Sequence, residues 1–355
     1  MTDWPMFHRD SSRSGFTPDD LEGPLRLCWV LQTGGRVFFA SPTLFRDRCY
    51  CGSRDGYLYA VEAGTGSFLW RFRTGDEGNL SNSVGDDIIF AGSNRDGCLW
   101  AISTEKGERI WAYQTLGPVF ATPLEVEDLV LIGSSDCNFY ALDRKTGKPV
   151  WQYKCGGELR YASCLAGSTV YTGSADGNLY AINVENGGLV WKFKTKGAIN
   201  CTPACNGSLV FVGSDDHHLY AVDALSGDKI WQFRTESAVR STCALAGGKV
   251  ILTSLDRRCY ALDEEKGHLI WNYRTNDSVY SSPALAGKTV IFGSGDGYLY
   301  GLELDSGRLK WRNNLEGAII SSPAVAGGML FIGSEKGCLY AFNGAGNGGS
   351  KAKRK

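Results

Sequence analysis

Long apolar runs are missing from this sequence, and histidine is scarce. No apolar stretch approaches the roughly 18 residues of a membrane-spanning helix, which excludes a helical span within the sequence. Only four of the 355 residues are histidine, and no Cys-x-x-Cys spacing occurs, so we expect no metal site. The net charge is −1, which argues against a nucleic-acid partner or an anionic membrane surface.

We also expect no secretory signal, because residues 1–20 are polar and lack a basic start followed by an apolar stretch. The 12 cysteines lie at unrelated positions of the sequence, and none is adjacent to another. Cysteines scattered in this way are typical of small buried hydrophobic residues in a reducing compartment. Both observations predict a cytoplasmic protein.

Eight tryptophans recur at intervals of 40 or 41 residues. A nine-residue phrase repeats with the same period, as in residues 173–181 and 293–301. A period of this size indicates one supersecondary unit that is copied many times and buries its apolar faces against its neighbours. The tryptophans of this ladder are Trp29, Trp70, Trp111, Trp151, Trp191, Trp231, Trp271 and Trp311.

The sequence pattern of each unit predicts four short strands. In the fifth unit we predict strands at 199–203, 209–213, 218–223 and 229–234, separated by turns rich in glycine, aspartate and asparagine. The second strand is apolar at four successive positions, which favours burial on both faces. Four-stranded units of about 40 residues predict an all-β, eight-bladed β-propeller of antiparallel blades.

Two turn positions recur in nearly every unit. We expect the glycine four residues before a tryptophan to adopt positive φ in a tight hairpin. We expect the recurrent aspartate to cap the opposite turn rather than to bind metal. The glycines are Gly66, Gly107, Gly147, Gly187, Gly227, Gly267 and Gly307. The aspartates are Asp55, Asp96, Asp136, Asp176, Asp216, Asp256 and Asp296, and Lys336 stands at this position in the eighth unit.

The two ends of the chain predict how the ring closes. The last unit supplies only three strands, and Trp29 precedes any complete unit. We therefore expect residues 25–30 to supply the fourth strand of the last blade, which removes two exposed edges. This divides the chain into an N-terminal arm that packs on the ring (1–24), the propeller (25–343) and a flexible basic tail (344–355).

Residues 141–151, Ala-x-Asp-x-x-Thr-Gly-x-x-x-Trp, resemble the tryptophan-docking repeat of the pyrroloquinoline-quinone-like β-propeller family. Residues 4–10, Trp-Pro-Met-Phe-His-Arg-Asp, resemble the leader that precedes such repeats in many bacterial proteins. The resemblance implies that each indole packs against the adjacent blade. It does not by itself imply catalysis, because the family contains enzymes, protein-binding scaffolds and sensor domains.

Enzymes of this family bind the quinone with a calcium ion and a catalytic aspartate, and many carry adjacent cysteines and long insertions. This sequence has neither adjacent cysteines nor long insertions. It resembles instead the bare rings of the non-enzymatic scaffold type, so we expect no catalytic residue and no cofactor.

A functional site is expected where one unit departs from the others. At the start of the first strand, the units carry Phe39, Phe120, Arg160, Asn200, Arg240, Tyr280 and Ile320. The turns of two of these units also depart from the common Asp-Gly, with His217, His218, Arg257 and Arg258. We predict that this sector binds an anionic group, because arginine donates paired hydrogen bonds to carboxylate and phosphate. The alternative is that these side chains only solvate the rim, with Arg160 and Arg240 held by nearby aspartates.

The sequence therefore favours a non-catalytic scaffold that uses one face of the propeller to bind a protein or peptide, as a monomer or as a subunit of a larger complex. Two alternatives remain open: a pyrroloquinoline-quinone-dependent dehydrogenase and a sensor of a small anionic ligand.

Overall fold

The predicted repeat unit is a four-stranded antiparallel sheet. The computed structural model describes residues 3–37, 40–75 and 82–344. These described residues form strands β1 to β33, numbered along the chain and arranged in eight sheets. None of them forms a helix with the length and apolarity to cross a bilayer. The all-β, eight-bladed propeller is confirmed.

Two strands precede the first blade, and each of the first four blades has four strands of its own. β1 is Phe16–Thr17 and β2 is Arg26–Gln32. Blade 1 contains β3–β6: Thr43–Phe45, Arg48–Ser53, Tyr57–Glu62 and Phe68–Arg73. Blade 2 contains β7–β10: Asn82–Gly85, Ile88–Gly92, Cys98–Ser103 and Arg109–Gln114. Blade 3 contains β11–β14: Leu124–Val126, Leu129–Gly133, Asn138–Asp143 and Pro149–Lys154. Blade 4 contains β15–β18: Ser163–Ala166, Thr169–Gly173, Asn178–Asn183 and Leu189–Lys194.

The remaining blades follow the same plan. Blade 5 contains β19–β22: Ala204–Cys205, Leu209–Gly213, His218–Asp223 and Lys229–Arg234. Blade 6 contains β23–β26: Ala244–Ala246, Lys249–Ser254, Arg258–Asp263 and Leu269–Arg274. Blade 7 contains β27–β30: Ala284–Ala286, Thr289–Gly293, Tyr298–Glu303 and Leu309–Asn314. Blade 8 contains β31–β33: Ala324–Ala326, Met329–Gly333 and Cys338–Asn343, and is completed by β2.

Blade 5 tests the strand prediction residue by residue. The second, third and fourth strands have the predicted bounds, and the second is buried at its last four positions. The prediction for the first strand is wrong, because this strand occupies Ala204–Cys205 instead of 199–203. The Ile199 N–H donates to the Ser174 carbonyl of blade 4, and the Thr202 hydroxyl accepts the Ala162 N–H of the same blade. Residues 199–203 therefore bond to the neighbouring blade 4 instead of forming backbone pairs with β20.

The ring closes by pairing the two ends of the propeller, as predicted. β2 is antiparallel to β33, with Trp29 opposite Ala341 and Gln32 opposite Cys338. The last blade thereby gains the outer strand that its own segment of chain does not supply. Pairing these strands satisfies backbone groups that would otherwise form two open edges.

Each of the first seven ladder tryptophans contacts the blade that follows it. Its indole N–H donates to a backbone carbonyl near the turn between the third and fourth strands of that blade, over 2.8–3.1 Å. The positive-φ glycine of the same turn lies against the indole ring. In this way each blade bonds to its neighbour as well as packing on it.

The N-terminal arm follows the inner edges of the first strands and contacts all eight blades in order. It begins with a bridge between Trp4 and Leu44 of blade 1, and Met6 packs on the apolar cluster between blades 3 and 4. Toward its end, β1 pairs in parallel with β27 of blade 7. The other contacts are hydrogen bonds of Pro5 to Val84, Ser11 to Leu165, Ser12 to Cys205, Ser14 to Leu245 and Asp19 to Gly327. The arm therefore packs on the ring.

A buried arginine fixes the middle of the arm. The Arg13 guanidinium is inaccessible to solvent and donates to the carbonyls of Ser163 and Phe7, at 2.8 and 2.6 Å. Burial lowers the pKa of Arg13 to about 10. Because Phe7 is in the arm and Ser163 is in blade 4, this side chain joins the arm to blade 4.

The cysteines have the environment that their scattering predicted. All 12 are free thiols, and ten of them are buried. Cys164, Cys201 and Cys205 belong to one apolar cluster between blades 4 and 5. They act as small core residues of the blade interfaces.

Candidate binding site

The upper face of the ring is formed by two sets of loops, which join the fourth strand to the next first strand and the second strand to the third. In blade 5, Asp216 ties the two sets together. Its Oδ1 accepts the His218 N–H at 3.1 Å, and its Oδ2 accepts the Lys196 N–H at 2.8 Å. The recurrent aspartate thus caps its turn, as predicted, and also holds the preceding loop.

A tyrosine four residues after the aspartate completes this arrangement. The phenol of Tyr220 donates to Asp216 Oδ2 at 2.8 Å. Sequence reasoning missed this partner, although Asp-x-x-x-Tyr recurs in six units. The other pairs are Asp55–Tyr59, Asp136–Tyr140, Asp176–Tyr180, Asp256–Tyr260 and Asp296–Tyr300.

A cavity of about 230 Å³ lies at the centre of the ring. Phe7 of the arm lines it together with residues that precede the first strands of seven blades. Small residues form its wall, namely Ser41, Thr122, Ala162, Thr202, Thr242, Ser282 and Ser322. Since the arm occupies the lower part of the channel, the cavity faces the upper loops.

The hydroxyl groups of the wall are linked from blade to blade. The N–H of Ser282 donates to Ser322 Oγ, and the N–H of Ser322 donates to Ser41 Oγ, at 2.9 and 3.3 Å. Similar bonds join Ala162 to Thr202 and Thr242 to Ser282. Each acceptor hydroxyl keeps its own O–H proton for another partner.

Three of the predicted site residues lie together at this cavity, namely Arg160, Arg240 and Tyr280. Phe120 and Ile320, from the same sequence position in blades 3 and 8, also line it. Phe39, which has this position in blade 1, lies outside the described residues. The cavity therefore combines three residues of the predicted polar sector with two apolar residues from the same sequence position.

Asn200 lies beside the cavity rather than in its lining. Its amide donates to Asp215 Oδ2 at 2.8 Å. Arg240 donates to both oxygens of the same carboxylate, from Nε at 2.8 Å and from Nη2 at 3.0 Å. The hydrogen bond with Asp215 raises the pKa of Arg240.

Arg160 has a carboxylate partner too, because its guanidinium pairs with Glu158. Each cation at the mouth is thus accompanied by an acid. The alternative in which these side chains only solvate the rim predicts an aspartate partner for both arginines. The partner of Arg240 is an aspartate, but the partner of Arg160 is a glutamate. The mouth therefore carries fixed charges of both signs.

The four loop residues of the prediction do not line the cavity. His217 and Arg257 adopt positive φ, at 70° and 71°, where most blades have glycine. His218 Nδ1 lies 2.9 Å from the Asp216 carbonyl oxygen, and Arg258 pairs with Glu236 at 3.6 Å. These residues belong to the upper loops farther from the ring centre.

Tyr161 is a lining residue that sequence reasoning missed. Burial raises the pKa of its phenol. The signal was present, because the equivalent residues of other blades are small, such as Ala121, Cys201 and Ser281. A large residue at a position that is otherwise small marks blade 4 as different.

A family model described as the β-propeller of β-alanine-activating enzyme matches residues 124–354, which is more than half of the chain. The chain belongs to this β-propeller family. No curated protein matches the sequence significantly.

Two solved structures show the same architecture. BamB from Moraxella catarrhalis is 20% identical, with a TM-score of 0.76, and the alignment covers 90% of this chain and 100% of BamB. A quinohemoprotein alcohol dehydrogenase from Pseudomonas putida HK5 is 15% identical, with a TM-score of 0.85, and the alignment covers 100% of this chain and 81% of the dehydrogenase. Both support a pyrroloquinoline-quinone-like propeller, and at these identities they show the fold alone.

Proposed function

We propose that this propeller is a non-catalytic binding module that holds a protein or peptide partner on its upper face. The observation that carries the proposal is the central cavity, which is lined by Phe7 of the arm and has Arg160 and Arg240 in its lining. A rigid ring that holds loops and a cavity at fixed positions suits recognition. The free buried cysteines suit work in the reducing cytoplasm.

A quinone-dependent dehydrogenase is the main alternative, and the lining residues do not fit it. The cavity of about 230 Å³ is smaller than the roughly 300–1,000 Å³ of typical ligand pockets. Among the described residues, none that lines the cavity is a carboxylate, and no three His, Cys, Asp or Glu side chains form a metal-ligand group. Calcium prefers six to eight oxygen ligands, several of them carboxylate. The lining therefore offers a quinone with calcium neither the room nor the ligands that it needs.

The proposal is tested by affinity purification with the native chain and the double variant Arg160→Ala/Arg240→Ala as baits. We expect a partner that the native chain retains and the double variant loses, followed by at least tenfold weaker binding when the purified partner is titrated against the variant, because charge-assisted hydrogen bonds are lost.

The matched control is Arg257→Gly, which removes a cation from the upper loops at a position where most blades have glycine. It should retain the partner. Equal binding by native chain and double variant would remove the cavity mouth from the function, and dye-linked dehydrogenase activity on adding quinone and calcium would overturn the non-catalytic role.

A further inference from the structure

The lining of the cavity has many hydrogen-bond donors and few acceptors. Its charged side chains are guanidinium groups, which only donate. The hydroxyl oxygens of Ser282, Ser322 and Ser41 already accept backbone N–H groups, which leaves their O–H protons to donate. A ligand that satisfies this lining must bring acceptor oxygens.

Both arginines are oriented by their carboxylates without using all their donors. Arg240 binds Asp215 through Nε and Nη2, and Arg160 binds Glu158 through the same two nitrogens. Neither Nη1 group has a hydrogen-bond partner among the described residues. A guanidinium held in this way loses little freedom when it donates to a ligand, because its orientation is already fixed.

The charge at the mouth limits the ligand to low negative charge. The two guanidinium groups are balanced by Asp215 and Glu158. A dianionic phosphate would meet two carboxylates and no surplus of positive charge, and like charges at short range are costly. A monoanion that accepts from an Nη1 group meets less repulsion from these carboxylates.

The lining of the cavity also contains apolar side chains. Phe120 of blade 3 and Ile320 of blade 8 belong to the lining, and Phe7 of the arm adds a third apolar side chain. The volume of about 230 Å³ leaves room for one small body rather than for an extended cofactor. The ligand therefore combines a small apolar body with its acceptor group.

We propose that the cavity binds a carboxylate carried on a small apolar body. Two sources share this chemistry: a free short-chain acid, and the C-terminal residue of a peptide. The proposal rests on the proposed function, since it names the group that the upper face recognises.

The test is calorimetric titration of the full chain with matched pairs of probes. The first pair is N-acetylvaline and N-acetylvalinamide, and the second is a hexapeptide that ends in valine with a free or an amidated C-terminus. We expect each carboxylate to bind at least tenfold more tightly than its amide, since only the charged form makes charge-assisted bonds. Binding of the free acid identifies a small-molecule ligand, and binding of the peptide acid alone identifies a polypeptide C-terminus.

Two variants separate a local effect from misfolding. Arg240→Lys keeps the positive charge but loses the fork, and we expect it to lose about tenfold in affinity for the carboxylate probe. Arg257→Gly should bind like the native chain. Equal affinity for acid and amide, or no binding of either carboxylate, would overturn the carboxylate assignment. Retention of a partner in the affinity experiment would show that the proposed function still stands.

Discussion

At the scale of single residues, the hydrogen bond between Tyr220 and Asp216 shows how a polar pair holds a loop of the upper face. Burial opposes ionisation of Asp216, but hydrogen bonds from Tyr220 and from backbone N–H groups lower its pKa below 3.8. Burial and donation to this carboxylate raise the pKa of Tyr220 above 10.0. The folded state therefore favours an ionised aspartate beside a neutral tyrosine.

These directions predict how stability depends on pH. The depressed aspartate pKa gives stability that is present above pH 3.8 and is lost as the pH falls through the folded value. The raised tyrosine pKa gives stability that is present below pH 10.0 and is lost as the pH rises through the folded value. We expect urea unfolding midpoints that are constant between these limits and decrease on both sides.

The variant Tyr220→Phe checks the origin of the effect. It should lower the free energy of unfolding by about 1 kcal/mol at neutral pH and reduce the loss at alkaline pH. An alkaline profile identical to that of the native chain would contradict the role assigned to the pair.

The pair also shows what could be predicted at this scale. The recurrence of aspartate at one turn position predicts a capping residue, because an aspartate side chain in a turn accepts nearby backbone N–H groups. Its tyrosine partner lies in the following strand, and its sequence pattern is that of an ordinary aromatic core residue. The pairing of Arg160 with Glu158 depends on side-chain direction, which the repeat pattern does not contain.

At the scale of the element, the turn between the third and fourth strands depends on a glycine that touches an indole. Gly147 has φ of 71°, and a Cβ built there would lie 2.5 Å from Trp111 Cε3. The same turn region supplies the Arg144 carbonyl that accepts the Trp111 indole N–H at 3.0 Å. Conformation and close approach therefore both require glycine.

We predict that Gly147→Ala destabilises the protein by roughly 2–4 kcal/mol, of which about 1 kcal/mol is the cost of positive φ and the rest is overpacking against the indole. Gly167→Ala is the matched control, because Gly167 has φ of 56° and no atom within 4 Å of its added Cβ. It should cost about 1 kcal/mol. Equal losses of unfolding free energy for the two variants in urea would show that the indole contact contributes nothing.

The bounds of a strand could be predicted where the turn residues on either side of it determine them. The second to fourth strands of blade 5 follow from alternating and apolar patterns between strong turns. The first strand could not be predicted, because residues 199–203 have strand-like composition but form hydrogen bonds to the neighbouring blade 4. Such contacts are set by the closed ring and not by local sequence.

At the scale of the whole molecule, the interface of blade 7 with blade 8, where Trp311 meets the seam between β2 and β33, differs from the other seven interfaces between blades. Trp311 faces Gly23 of the arm instead of a turn glycine, and its indole N–H has no partner among the described residues. A Cβ added to Gly23 would lie 2.0 Å from Trp311 Cδ1. The last interface therefore depends on close packing without the indole hydrogen bond.

We predict that Gly23→Ala weakens the seam selectively. Hydrogen exchange in β2 and β33 should become at least tenfold faster, while the central strands of blade 4 keep their protection, because opening at the seam does not require the other blades to unfold. Gly64→Ala, whose added Cβ meets no atom within 4 Å, is the control. Uniform acceleration in all blades would contradict a local opening.

The count of blades and the seam could both be predicted, because the repeat and its incomplete last copy are visible in the sequence. The path of the arm could not, since most of its contacts are backbone hydrogen bonds that leave no pattern of side chains. Only the presence of apolar anchors such as Trp4 and Phe7 indicated that it would pack on the ring.

The path of the arm has a consequence for the order of folding. Residues 3–24 precede every blade in the chain, yet their binding groove is built from all eight. During synthesis this segment cannot form all of its contacts until the last blade has been synthesised and folded. Packing of the arm is then a late folding step, and it stabilises a propeller whose blades are already formed.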